Sequence, residues 1–375
     1  MTHSKVSKVL IVGGGIGGLM AVTVLRRAGC EVDLVEAKAD WQQAGVGIIQ
    51  PANALRALDS VGLAQACLDA GFAYDGYDYL DAQGKLLHAG PSPKVAAHLP
   101  PNNGILRSRL HEILLAAARA SGASLRSGLT WSSMREDAEG VDVEFTDGSA
   151  GRYGLVIGAD GIYSPLREKL FGLAYAPQTT GQSVWRLTMQ RPAHMRRGVM
   201  QSAPNRKAGY IPLSQDLMYL LLVTQESPDR QMTREELPAL LRERLQGFGG
   251  LVAETMAQIT NDCEVVYRPL EIVRLPSPWY VGRTILIGDA AHASTPHLGQ
   301  GAAMAIEDAV VLAELVAAGL AGEALGQAYM KRRFARASEI QEASIQIGEY
   351  EQGRAPGLDL QALLARTRAC AAEAI

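Results

Sequence analysis

The residues of this sequence best suited to chemistry fall into three glycine-and-acid clusters. The first is Gly13-Gly14-Gly15-Ile16-Gly17-Gly18, a GxGxxG spacing at Gly13, Gly15 and Gly18. In such a loop the first glycine permits a tight turn, the second lets the backbone approach a pyrophosphate, and the third lets helix and strand pack closely. Free N–H groups where a helix begins at Gly17, just after Ile16, offer its positive dipole end to phosphates. Glu36, followed by Ala37, closes the next strand, where a carboxylate can bind ribose hydroxyls. A glycine-rich turn without a ligand is the plain alternative. The second cluster runs from Gly158-Ala159-Asp160-Gly161 to Arg167. Asp160 follows a buried strand, so its carboxylate needs hydrogen-bond partners or a cation. An Asx turn with a salt bridge to Arg167 would satisfy it without any ligand. The third is Gly288-Asp289-Ala290-Ala291-His292, then Thr295-Pro296-His297-Leu298-Gly299-Gln300-Gly301. Asp289 also ends a strand, and Gly299, Gln300, Gly301 and Ala302 open a second helix with small residues and free N–H groups.

These clusters need elements to hold them. Lys8–Val12 reads as a buried strand, 17–28 as a helix with Leu19, Val22 and Leu25 at helical spacing, and 32–36 as a second strand. Together they make a βαβ unit. Helices are expected near 53–61 and 109–120, and 142–145 with Asp147-Gly148 reads as a hairpin arm with its turn. The middle of the chain differs: 182–190 and 210–224 are extended, with turn signals at Pro204-Asn205 and Ser214-Gln215-Asp216. A second sheet is expected over roughly 176–265, followed by a helix at 233–245, a buried strand at 284–287 and helices near 302–318 and 322–349.

Composition removes several classes of function. The 375 residues carry a net charge of −3, which argues against a nucleic-acid-binding face. The apolar run 9–20 is broken by five glycines and does not read as a signal-peptide core. The run 302–320 contains Glu307, Asp308 and Glu314, so it is expected as a buried or amphipathic helix, not a membrane span. Four cysteines form no CxxC pair, so no metal site is expected, and reduced cytoplasmic thiols fit better than disulfides.

In this order and spacing, the three clusters resemble the single-component FAD-dependent aromatic hydroxylases, the class A flavoprotein monooxygenases. The family's Arg-x-x-Leu-x-x-x-Leu helix start is matched by Arg107, Leu110 and Leu114. The resemblance extends to about residue 340. It implies FAD as the bound cofactor, NADH or NADPH as a transient donor, and dioxygen as co-substrate. By match, Asp160 serves FAD and the reduced nicotinamide, Asp289 the ribityl chain or pyrophosphate, and Arg107 the phosphate or ribityl region. Gly299 to Ala303 would line the flavin ring, with Val46, Gly47 and Ile48 on its other side and Leu129 a further cofactor contact. The fold implied is α/β: a Rossmann-like FAD-binding domain (1–75, 100–175 and 266–320) interleaved with a smaller β-sheet substrate domain (76–99 and 176–265), then C-terminal helices (321–375).

The implied reaction reduces FAD with NAD(P)H and passes one oxygen atom of a flavin hydroperoxide to an electron-rich ring. A ring hydroxyl donates better once its proton is lost, which directs attention to the second sheet. Tyr219 matches a substrate-facing tyrosine in the urate and quinolone hydroxylase-like members, and Lys207 matches a position that is basic in several of them. Arg186, Tyr210 and Pro296 are further candidates for substrate contact. A rim tyrosine and a solvated loop lysine are the plain alternatives for Tyr219 and Lys207. A histidine beside a flavin can shuttle protons near neutral pH. His297 is nearest the expected site, whereas His292 is expected to make a structural hydrogen bond. The expected ligand is thus an aromatic or heteroaromatic small molecule, somewhat closer to quinolone, urate and pyridine-type rings, bound by a monomer or homodimer. A flavin dehydrogenase, oxidase or reductase without oxygen insertion is the competing reading on this scaffold. A flavin-binding regulatory protein without turnover is a third.

Overall fold

The computed structural model describes residues 6–41, 45–226 and 232–375. Its first sheet has six strands, in the order Tyr280–Val281, Thr284–Leu286, Leu155–Gly158, Lys8–Val12, Glu31–Glu36 and Ser124–Ser127. Every neighbouring pair is parallel except the first. Lys8–Val12 and Leu155–Gly158 are apolar almost throughout, as expected of parallel strands covered on both faces. Helices Ile16–Arg27 and Gly301–Ala317 pack together over this sheet. Small residues make the approach close: a Cβ on Gly17 would lie 3.2 Å from that of Ala305.

The second sheet has seven strands, in the order Val266–Ile272, Gln178–Gln190, Leu217–Gln225, Arg206–Pro212, Gly198–Ala203, Gly76–Leu80 and Leu86–Pro91. It is antiparallel apart from the Gly198–Ala203 and Gly76–Leu80 pair. Its side chains alternate between two cores. Trp185, Leu187, Ala208, Tyr210, Met218, Leu220 and Leu222 pack outward beneath helix Leu237–Leu245. Val184, Ile211, Tyr219, Leu221 and Val223 face the other way, toward Val46 and Phe72. Between the two large sheets lies a three-stranded one, Gly47–Pro51, Asn102–Leu106 and Phe72–Tyr74.

Two boundaries differ from expectation. The second sheet does not stop at 265, because Val266–Ile272 pairs with Gln178–Gln190 as its edge strand. Pro269 is tolerated there since an edge strand need not donate on its outer side. The helix expected from 233 begins at Leu237, with Pro238 in its first turn, the one helical place where a missing N–H costs nothing. Helix Gly322–Glu351 runs 30 residues along the molecule and is followed by helix Leu360–Ala372. Among the described residues no helix is long and apolar enough to cross a membrane.

Candidate active site

The glycine loop has the shape of a phosphate cradle. Gly13 has φ +108°, and a Cβ there would collide with the Ala159 carbonyl, so the first and second clusters touch at this point. A Cβ on Gly18 would strike the Gly13 carbonyl, while one on Gly15 would meet nothing within 4 Å. The loop is therefore packed behind and open at the helix N-terminus. Glu36 accepts hydrogen bonds from the backbone N–H of Gly14 (2.7 Å) and Lys38 (2.9 Å), which fixes its carboxylate at the loop. Ala37 is exposed beside it, and the Leu129 N–H donates to the Glu36 carbonyl at 3.0 Å.

Asp160 accepts from the Leu166 N–H at 3.0 Å through one carboxylate oxygen, and the other is buried without a partner. Burial raises its pKa, against weaker help from Ser164 and Leu166. The salt bridge to Arg167 considered above does not form. Arg167 instead donates to the carbonyls of Ala290 (3.1 Å) and Ile162 (2.7 Å), tying the second cluster to the third. Asp289 is exposed at the start of the short helix Asp289–His292.

Behind the third cluster lies a buried ionic network that composition alone did not reveal. Asp308 accepts from the Gly288 N–H (2.9 Å), His292 (2.7 Å) and Arg333 (2.7 Å). Glu307 is held by Arg333 (2.8 Å), by Arg336 through two bonds of 2.8 Å, and by Asn53 (3.0 Å). Burial opposes the Asp308 charge, but His292 and Arg333 outweigh it and hold the carboxyl far below its ordinary range. Asn53 also bonds the Gln300 side chain at 3.0 Å, so that side chain is turned into the core. His292 has the structural role expected of it. The sequence signal for this network was two adjacent acids in an apolar helix, with Arg333 and Arg336 spaced to reach them from the next helix.

On the substrate side, strand pairing sorts the candidates. Three successive rows cross the inward face: Val184, Val223 and Lys207; Arg186, Leu221 and Gly209; Thr188, Tyr219 and Ile211. Arg186, Lys207 and Tyr219 thus share one face. Tyr210 does not. It points into the opposite core and bonds Thr255 at 3.0 Å, which corrects its expected place among the substrate contacts. Adjacent residues on a strand face opposite ways, so Tyr210 cannot lie with its neighbours Gly209 and Ile211.

The Tyr219 ring packs on the strand Gly47–Pro51, where a Cβ on Gly47 would overlap it. Farther along that strand, Ile49 reaches Gly299, whose Cβ would lie 3.3 Å from its side chain. The expected flavin-flanking segments and the substrate face therefore meet at one strand. Arg107 joins them: its backbone N–H donates to Val46 at 3.0 Å and its side chain lies over Gly45. Burial raises the Tyr219 phenol to about 12, although Arg186 pulls it down. Burial lowers the Arg186 pKa, Tyr219 opposing and Arg107 adding to the effect. No carboxylate pairs with Arg186 among the described residues.

Lys207 is not a solvated loop lysine. It sits within strand Arg206–Pro212 and pairs with Glu351, in the last turn of helix Gly322–Glu351. Glu351 also lies 3.2 Å from His297 Nε2, and His297 Nδ1 is 2.8 Å from the Thr295 hydroxyl. Pro296 opens the same short turn. Glu351 was missed from sequence, being 144 residues from Lys207 with no motif around it.

The residues fit FAD. The open N-terminus at Gly15, the unpartnered Asp160 oxygen, the bare Gly299–Gly301 turn and the Gly47 strand are places that its phosphates, ribityl chain and ring can fill. A family model described as FAD binding domain matches residues 6–344. YetM of Bacillus subtilis, provisionally named an FAD-dependent monooxygenase, is 36% identical over 356 residues, 94% of this chain and 95% of that protein. The 2-heptyl-3-hydroxy-4(1H)-quinolone synthase of Pseudomonas aeruginosa strain PAO1 is 31% identical over 354 residues, 93% of this chain and 90% of that one. Klebsiella pneumoniae HpxO, solved with FAD and uric acid, matches with a TM-score of 0.83 at 24% identity, over 98% of this chain and 93% of that chain, and so shares the fold.

Proposed function

Because this chain belongs to the class A FAD-dependent aromatic hydroxylases, we propose that it hydroxylates the ionised form of a hydroxylated N-heteroaromatic ring of the quinolone or pyridine kind. The chain is an FAD-dependent monooxygenase that consumes NAD(P)H and dioxygen and acts on an aromatic small molecule. FAD, when bound, supplies the redox chemistry, taking a hydride from the nicotinamide and activating dioxygen for transfer to the ring.

The observation that carries the finer reading is the single face holding Arg186, Lys207 and Tyr219, with no carboxylate paired to Arg186 among the described residues. A desolvated cation without a partner is costly, and an oxyanion on the ring would balance it. Tyr219 stays protonated near neutral pH and so donates a hydrogen bond to that oxyanion. His297, with Lys207 close by, accepts the proton that the ring hydroxyl loses. Pro296 borders the ring, and the apolar side chains around Val46 and Leu221 keep water out. Gly13 to Gly18, Glu36, Asp160, Asp289 and Arg107 hold the cofactor's nucleotide and ribityl parts.

The segments 1–75, 100–175 and 266–320 would act as the FAD unit and 76–99 with 176–265 as the substrate unit, the latter extended by its edge strand. Four cysteines without disulfides among the described residues favour the reduced cytoplasm.

The test supplies FAD, NADH or NADPH, and isotopically labelled dioxygen with a panel of hydroxyquinolines, hydroxypyridines and their O-methyl ethers. One hydroxylated member is expected to accelerate NAD(P)H oxidation and gain one labelled oxygen atom, its ether doing neither. Equal turnover of the ether would remove the ionised ring from the proposal. Stimulated NAD(P)H oxidation that never yields an oxygenated product from any member would favour a reductase or oxidase.

A further inference from the structure

Three elements far apart in sequence meet at one carboxylate. Lys207 comes from the substrate sheet, His297 from the turn before Gly299, and Glu351 from the last turn of helix Gly322–Glu351. All three side chains are largely removed from solvent, that of His297 entirely. Such an arrangement is expensive unless the charges compensate one another. We infer that Lys207, Glu351 and His297 form one charge-coupled unit across the interface, and that Glu351 is the positioning residue that sets when His297 carries a proton. The inference rests on the reading of His297 as the proton acceptor and names the group that tunes it.

The charges support this. Burial works against ionisation of Glu351, but Lys207 and His297 outweigh it and bring the carboxyl down to about 2. Burial lowers the His297 pKa, Lys207 lowers it further, and Glu351 works the other way. Near neutral pH the unit therefore holds Glu351 negative and His297 neutral, free to accept a proton. Other groups near His297 carry no charge: the Thr295 hydroxyl, and the Gln182 side-chain oxygen, which flanks Gly348 together with the His297 ring. The remaining nearby acid, Glu349, turns outward to an exposed pair with Arg354.

His297 Nε2 has no aligned hydrogen bond despite its 3.2 Å approach to Glu351. Lys207 and Glu351 act on His297 with opposite sign, so a charge-neutralising change of near-equal shape at either one should expose the coupling. Glu351→Gln removes the negative neighbour and leaves Lys207 beside His297. Lys207→Met removes the positive neighbour and leaves Glu351. The two variants should move the His297 pKa in opposite directions, a pattern that loosened packing does not produce.

The experiment follows His297 by NMR titration of histidine-labelled protein, with the resonance assigned by its loss in His297→Asn. Glu351→Gln should lower the His297 pKa by about one unit, or tenfold in proton affinity, and Lys207→Met should raise it by a similar amount. Glu349→Gln, at the exposed pair, should leave it unchanged. Glu351→Asp should retain most of the wild-type value, which guards against a Gln variant that folds poorly. Shifts of the same sign in Glu351→Gln and Lys207→Met, or no shift in either, would overturn the coupling. Because the titration needs no turnover, it separates this inference from the reading beneath it. If the opposite shifts occur but the acid limb of the kcat/KM profile does not move with them, the coupling stands and His297 is not the acceptor.

Discussion

The two sides of the Gly299–Gly301 turn treat buried charge in opposite ways. Behind it, Glu307, Asp308, Arg333, Arg336 and His292 satisfy one another and brace Gly288 and Gln300. In front of it, Arg186 faces the interface with no carboxylate partner among the described residues, and Tyr219 points at the bare backbone of Gly47. The closed network makes the turn rigid before any ligand arrives. The face opposite it is left with charge that a ligand can balance. Preorganised positioning on one side and an uncompensated site on the other is how a scaffold holds a cofactor firmly while choosing a substrate.

The comparison can be broken most forcefully from behind. Arg333→Met leaves Glu307 and Asp308 buried with a missing cation, and should cost about 3–5 kcal/mol of unfolding free energy by denaturant titration. A loss under about 1 kcal/mol would mean that the network braces nothing. On the open face, Tyr219→Phe should change stability little but slow hydroxylation about a hundredfold, with FAD content unchanged in the purified protein. Wild-type turnover in that variant would remove Tyr219 from the chemistry.

Acid should undo both sides, through groups that bind fewer protons folded than unfolded. Asp308 and Glu351 are held below their ordinary values, so their stabilisation is complete above those values and is lost as pH falls through the folded ones. For Glu351 that window runs from 4.5 down to about 2. His297, also lowered, begins the loss below 6.5. Thermal melts across this range should show stability falling as pH falls, against the opposite effect of Asp160, and Glu351→Gln should flatten part of the slope. A wild-type profile flat between pH 6 and pH 3 would contradict the pairing.

The smallest effect is also the sharpest test of strand register. Tyr210→Phe loses one hydrogen bond to Thr255, worth about 1 kcal/mol. It should leave KM for the organic substrate unchanged, because the ring lies on the outer face. A raised KM with normal stability would put Tyr210 back among the substrate contacts.

The glycine-motif half of the fold was legible because short motifs carry its signal. Asp160 takes its hydrogen bond from Leu166, six residues on, and a Cβ on Gly18 would strike the Gly13 carbonyl, five residues back. The substrate half depends on pairing between distant strands. Alternation alone told Tyr219 from its strand neighbours, but whether Tyr210 shared its face depended on a register that only the assembled sheet defines. Glu351 was invisible for the same reason, since nothing near the end of a 30-residue helix signals a lysine on a remote strand. The edge strand Val266–Ile272 was hidden by Pro269, a residue that ordinarily argues against a strand.

The most direct measurement is the binding of 4-hydroxyquinoline and its O-methyl ether to the FAD-loaded protein and to its Arg186→Gln variant, by titration of the flavin absorbance. The account predicts that the wild type prefers the ionisable compound by at least about tenfold, and that Arg186→Gln abolishes the preference while keeping its FAD. An undiminished preference in Arg186→Gln would contradict the claim that this arginine waits for an anionic ring.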